Sequence, residues 1–196
     1  MILKTLPCGY LAFLSLLVML SVTSCKEDPD TNHNVIPPPS NRLSEMQVHN
    51  TTYRLDVMAL KDYGLASGNA YSGHKIELLV LTEGMQLFEA GGQIDSVSGD
   101  GKLVSIELFS SEEGELTPGM YAFHQDYGRV ATFNKAYIID YINGKSDSNS
   151  RFEIQTGTLR VSHDDGVYSL EGELMDDEKK AISFYQKGVP EYYTYK

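Results

Sequence analysis

Apolar and polar residues alternate with a period of two along most of the chain beyond residue 45. Tyr53, Leu55, Val57 and Ala59 alternate with Arg54 and Asp56, and Ile76, Leu78 and Val80 alternate with Lys75 and Glu77. Val104, Ile106 and Leu108 alternate with Ser105 and Glu107, and Phe152, Ile154 and Thr156 with Glu153 and Gln155. Leu159 and Val161 follow in the same rhythm, as do Tyr168, Leu170 and Leu174. Successive side chains of a strand point to opposite faces, so each run predicts a half-buried antiparallel strand. No stretch of a dozen residues carries the 3.6 period of an amphipathic helix. The nearest, Asp56 to Leu65, alternates better as a strand.

Turn chemistry falls between these runs. Gly91-Gly92, Gly99-Asp100-Gly101, Asn143-Gly144 and Asp164-Asp165-Gly166 supply residues that tolerate positive φ, and Pro118-Gly119 reads as a type II turn. The expected fold is all-β, an antiparallel β-sandwich of about nine to eleven strands. The alternative is an up-and-down, calycin-like β-barrel, because both architectures alternate inside and outside positions identically. Two short elements repeat. Gly-x-Tyr-x-apolar occurs at Gly119–Phe123 and Gly166–Leu170, and Asp-Tyr-Gly at Asp62–Gly64 and Asp126–Gly128.

Residues 1–24 break the alternation. Lys4 precedes a compact apolar run, Leu11 to Leu20, which is short for a membrane span and reads as a signal peptide. The segment Leu20-Ser-Val-Thr-Ser-Cys25 resembles a bacterial lipobox cleaved by signal peptidase II, and Lys26-Glu27-Asp28 resembles the export signal of Bacteroidota-type surface lipoproteins. The resemblance implies that Cys25 carries palmitate-type acyl chains and holds the protein to the outer membrane. It also implies display on the cell surface, with a periplasm-facing orientation as the alternative. Because each buried methylene contributes about 0.8 kcal/mol, two or three chains anchor stably where one does not. Residues 25–44 are rich in proline, with Pro37-Pro38-Pro39 forming a stiff tether, and residues 45–196 are left as a single all-β domain. The two Gly-x-Tyr and Asp-Tyr-Gly elements likewise resemble those of β-rich lipoproteins in the same group.

Composition narrows the function. The formal charge is −11. Lys4 offsets the one net negative charge of the tether, so the whole excess belongs to residues 45–196. Phosphate binding draws on a lysine and arginine surplus, so nucleic acid is not an expected partner. Cys8 lies in the leader, which leaves no pair for a disulfide and no ligand set for a zinc ribbon.

No nucleophile elbow or His-x-x-x-His is present, and no catalytic residue, metal or cofactor is expected. His163, Asp164 and Asp165 form the densest ligand-type cluster, in what also reads as ordinary turn composition. Tyrosine is abundant, and Tyr137, Tyr141, Tyr192, Tyr193 and Tyr195 are the candidate recognition patch. The expectation is a lipid-anchored, non-enzymatic binding module for a glycan or an envelope protein. A calycin-like carrier of a small apolar ligand and an extracellular hydrolase are the alternatives.

Overall fold

The computed structural model describes residues 42–196; residues 1–24, expected to be a signal peptide, with Cys25 and Lys26-Glu27-Asp28, lie outside the described residues. Twelve strands and no helix occur among the residues described. In order they are β1 (Glu45–Val48), β2 (Thr51–Leu65), β3 (His74–Thr82), β4 (Met85–Ala90), β5 (Gln93–Gly99) and β6 (Gly101–Ser110). There follow β7 (Gly119–Phe123), β8 (Thr132–Ile142), β9 (Lys145–Asp164), β10 (Val167–Asp176), β11 (Ala181–Gly188) and β12 (Glu191–Thr194). The all-β expectation therefore stands.

The strands do not divide into the two facing sheets of a sandwich. Antiparallel pairing runs from β1 through β2, β3, β6, β8, β9, β10 and β11, and returns to β1 through the register Glu45↔Tyr185 to Val48↔Ile182. With β7 wedged where β8 and β9 diverge, nine strands close a barrel. Closure removes the edges that an open sheet would expose. Two further segments attach to its outside. The hairpin β4–β5 forms its own two-stranded sheet, and β12 pairs in parallel with β2 from Ala59 to Asp62.

The turns explain the path. Asn143 and Gly144, at φ 53° and 72°, join β8 to β9, and Asp165 and Gly166, at 48° and 78°, join β9 to β10. Both are two-residue connections with positive φ at each position, whose twist matches that of the flanking strands. His49 and Asn50 make a third such turn between β1 and β2. Gly119 does not complete a type II turn with Pro118; it opens β7.

One strand unites two predicted runs. Phe152 and Ile154 point inward at even positions, whereas Leu159 and Val161 point inward at odd ones, all within β9. The phase changes at Gln155, which the pairing with β10 skips: Met175 opposes Thr156 and Asp176 opposes Ile154. A bulge in the pairing with β10 between Met175 and Asp176 absorbs the extra residue.

The barrel interior is filled by side chains. Leu60, Ile76, Leu78, Val80, Ile106, Leu108, Phe133, Ile138, Leu170 and Phe184 are all buried in one cluster, and Leu116 from the β6–β7 loop joins it. Each such residue contributes about 1.5–3 kcal/mol relative to exposure. A smaller cluster occupies the outer face of β2, β3 and β6, where Ala59, Leu79, Leu81 and Leu103 meet Met85 and Tyr193. This second core explains why β4–β5 and β12 lie against the wall.

Candidate functional site

The outer wall carries a groove of about 330 Å³ above the second core, at the end of β2, β3 and β6 where the β2–β3 and β7–β8 loops meet. Phe109 forms its floor and is fully buried although it faces outward. The loops bury it. The Ser72 amide donates to the Gly128 carbonyl at 2.8 Å, and the Gly128 amide donates to the Ala70 carbonyl at 3.2 Å. The Phe109 ring occupies the space at Gly128 where a Cβ would sit, 2.0 Å away, so only glycine allows this approach. Tyr71 leans on Phe109 with ring centroids 5.6 Å apart, and Tyr63 forms the opposite wall.

A carboxylate holds Tyr63 in place. Glu77 Oε2 accepts the Tyr63 hydroxyl proton at 2.8 Å, Glu77 Oε1 accepts from Ser105 Oγ at 2.7 Å, and Lys61 Nζ lies 2.9 Å away. Burial by itself raises the Glu77 carboxyl, but Lys61, Ser105 and Tyr63 outweigh it and hold the group below its ordinary value. Burial raises the Tyr63 phenol, and the Glu77 carboxylate reinforces the shift. The tyrosine is therefore a neutral, oriented hydrogen-bond donor.

The charged side of the groove is looser. Glu107 lies 3.6 Å from Lys75 Nζ through one oxygen and 3.6 Å from Lys135 Nζ through the other. Both separations exceed a hydrogen bond. Lys75 also sits 4.4 Å from the centroid of Tyr63. Aromatic walls beside exchangeable charged groups can hold a small ring by its apolar face while bonding its polar substituents.

A contrasting charged cluster lies inside the barrel at the opposite end. Lys102 points inward and ion-pairs with Asp140, between the rings of Tyr53 at 5.0 Å and Phe152 at 5.5 Å. Next to it, His49 Nε2 lies 2.5 Å from Asp176 Oδ2 and packs edge-on against Phe152. Burial raises the Asp176 carboxyl, but the Lys180 amide and His49 outweigh it, so the group sits below its ordinary value.

The tyrosines selected from sequence occupy different places. Tyr141, Tyr193 and Tyr195 come together at the second core, in a seam and not on an open surface. Tyr193 is buried, and its hydroxyl, a single donor, lies within hydrogen-bond distance of the carboxylates of both Glu89 and Glu191. The Tyr195 hydroxyl accepts from the Ile94 amide at 2.8 Å. Tyr137 lies under the Arg151 guanidinium at 3.5 Å, and Tyr192 is half exposed on β12. His163 stacks on Tyr168, centroids 4.9 Å apart, while Asp165 forms the β9–β10 turn beside Asp164. Among the described residues, no three histidine, cysteine, aspartate or glutamate side chains could hold a metal ion together.

No family model, curated protein or solved structure matches the chain. The groove residues Tyr71, Lys75, Phe109 and Lys135 carry no sequence pattern that marks them as a site. One signal pointed toward them. The two Asp-Tyr-Gly elements supply Tyr63 to the wall and Gly128 to the cover over Phe109.

Proposed function

We propose that this chain is a lipoprotein held to the outer membrane through Cys25, displayed on the cell surface, whose barrel binds a glycan in the outer groove without chemically altering it. The observation that carries the binding reading is the groove itself, with Tyr63, Tyr71 and Phe109 set beside Lys75, Glu107 and Lys135. An aromatic face and adjustable polar groups suit a sugar ring, whose two sides differ in the same way. The anchoring part rests on the lipobox and the charged residues after it.

Calorimetric titration of oligosaccharides tests the binding reading. Tyr71→Ala weakens binding about tenfold, the loss of one well-formed aromatic contact of about 1.4 kcal/mol. Recovery of an envelope protein that binds equally well to the Tyr71→Ala form contradicts it. Cys25→Ala releases the protein from membranes and removes the acyl mass; unchanged fractionation and mass contradict the anchor. Alanines at Lys26, Glu27 and Asp28 leave the lipid in place but hide the domain from external protease.

The antiparallel circuit in chain order supports a second reading, a calycin-like carrier of a small apolar ligand. The filled interior weighs against it, because an eight-strand circuit has room for side chains or for one ligand.

A further inference from the structure

We infer that the ligand of the outer groove is an anionic saccharide, a sugar whose carboxylate or sulfate is seated between Lys75 and Lys135. The inference rests on the glycan reading and adds the charge of the ligand. Two ammonium groups share the single carboxylate of Glu107, each at 3.6 Å. Of the residues lining the groove, Glu107 is the one acid against two lysines, so the groove is locally positive on a chain of net charge −11.

The neighbouring lysine shows what a satisfied pair looks like on this wall. Lys61 lies 2.9 Å from Glu77, whose two oxygens also accept Tyr63 and Ser105. Lys75 and Lys135 have no contact that close to Glu107. An ammonium carries three donors, and charge-assisted bonds shorten to about 2.7–2.9 Å when geometry permits. An entering anion gives both lysines the short acceptor that Glu107 does not.

The apolar part fits the same ligand. Tyr71, inclined by 33° to the buried Phe109 ring, presents ring surface in the groove that the lysines line, and Leu65 forms an exposed apolar rim. At about 330 Å³ the groove lies at the small end of ligand sites. It suits a short saccharide segment, not a long apolar chain. Glu107 then acts as an internal competitor for the lysines, which makes its removal informative.

The test titrates the purified full chain in detergent with three trisaccharides of one linkage: neutral, uronate and sulfated. At low salt at least one anionic form binds about tenfold tighter than the neutral form, and the advantage shrinks as salt rises. Lys75→Met and Lys135→Met each weaken the anionic form more than the neutral one and so remove most of that advantage. Glu107→Gln raises the affinity for the anionic form several-fold relative to that for the neutral one. Unchanged thermal unfolding of each variant keeps these results separate from misfolding. Equal or tighter binding of the neutral trisaccharide overturns the inference and leaves the glycan reading standing. If no trisaccharide binds, both are overturned.

Discussion

Two lysine–carboxylate clusters in this protein use the same residue types for opposite ends. Inside the barrel, Lys102 and Asp140 form a direct pair between Tyr53 and Phe152, and Lys102 is 7% exposed. On the outer wall, Lys75 and Lys135 stand off from Glu107 beside Tyr63, and the Lys135 side chain is 57% exposed. The inner pair is committed: taking either partner away leaves a charge facing a low-dielectric interior. The outer pair is held loosely enough to exchange partners at small cost. The difference is one of solvent and distance, not of chemistry, and it separates a structural seal from a recognition site.

The largest effect falls on the inner cluster. Lys102→Ala destabilises the domain by about 2–3 kcal/mol, at or below the lower limit for breaking a buried pair because the Asp140 side chain keeps 22% exposure. Replacing both partners, as Lys102→Met with Asp140→Leu, restores most of the loss; denaturant titration of the two variants checks this. Failure of the double variant to recover would place the value of the site in its charges and not in its burial.

Asp176→Asn comes next, at about 2 kcal/mol near neutral pH, since the carboxylate accepts from the Lys180 amide and pairs with His49. The folded-state carboxyl lies below its unfolded value, so its contribution is complete above the ordinary carboxylate range and is lost as pH falls through the folded value. The gap between wild type and variant therefore closes in acid. Thermal unfolding between pH 7 and pH 3 reads it, and a constant gap would contradict the assignment.

On the outer wall the sizes reverse between stability and binding. Tyr71→Ala lowers glycan affinity about tenfold while costing about 1 kcal/mol or less in stability, because the ring is partly exposed. Lys135→Ala changes stability by no more than about 0.5 kcal/mol, which denaturant midpoints measure. A larger loss would mean that the outer cluster, like the inner one, holds the barrel together.

The sequence showed the strands more readily than their closure. Alternation at Ile76–Val80, Val104–Leu108 and Tyr168–Leu174 reports an inside and an outside, and the structure places those residues as the pattern requires. It does not report which distant strands meet. The barrel depends on Glu45 pairing with Tyr185 in a four-residue strand too short to register as a run. The expectation of a sandwich failed at that contact.

The long strand β9 was read as two because the bulge at Gln155 flips its phase. The groove was hidden for a different reason. Its residues come from separated segments, and Phe109 becomes a floor only when two loops fold over it. The tyrosines crowded near the end of the chain were conspicuous, yet Tyr193 and Tyr195 serve to fix β12 against the β4–β5 hairpin.

The central claim is that recognition takes place on the outer wall of a barrel whose interior is already full. Titration with a fluorescent fatty acid whose emission rises on entering an apolar cavity tests it most directly. The account predicts no saturable uptake by the intact protein. Stoichiometric binding, lost on enlarging an inward side chain through Ala136→Phe and unaffected by Tyr71→Ala, would place the ligand inside the barrel and contradict it.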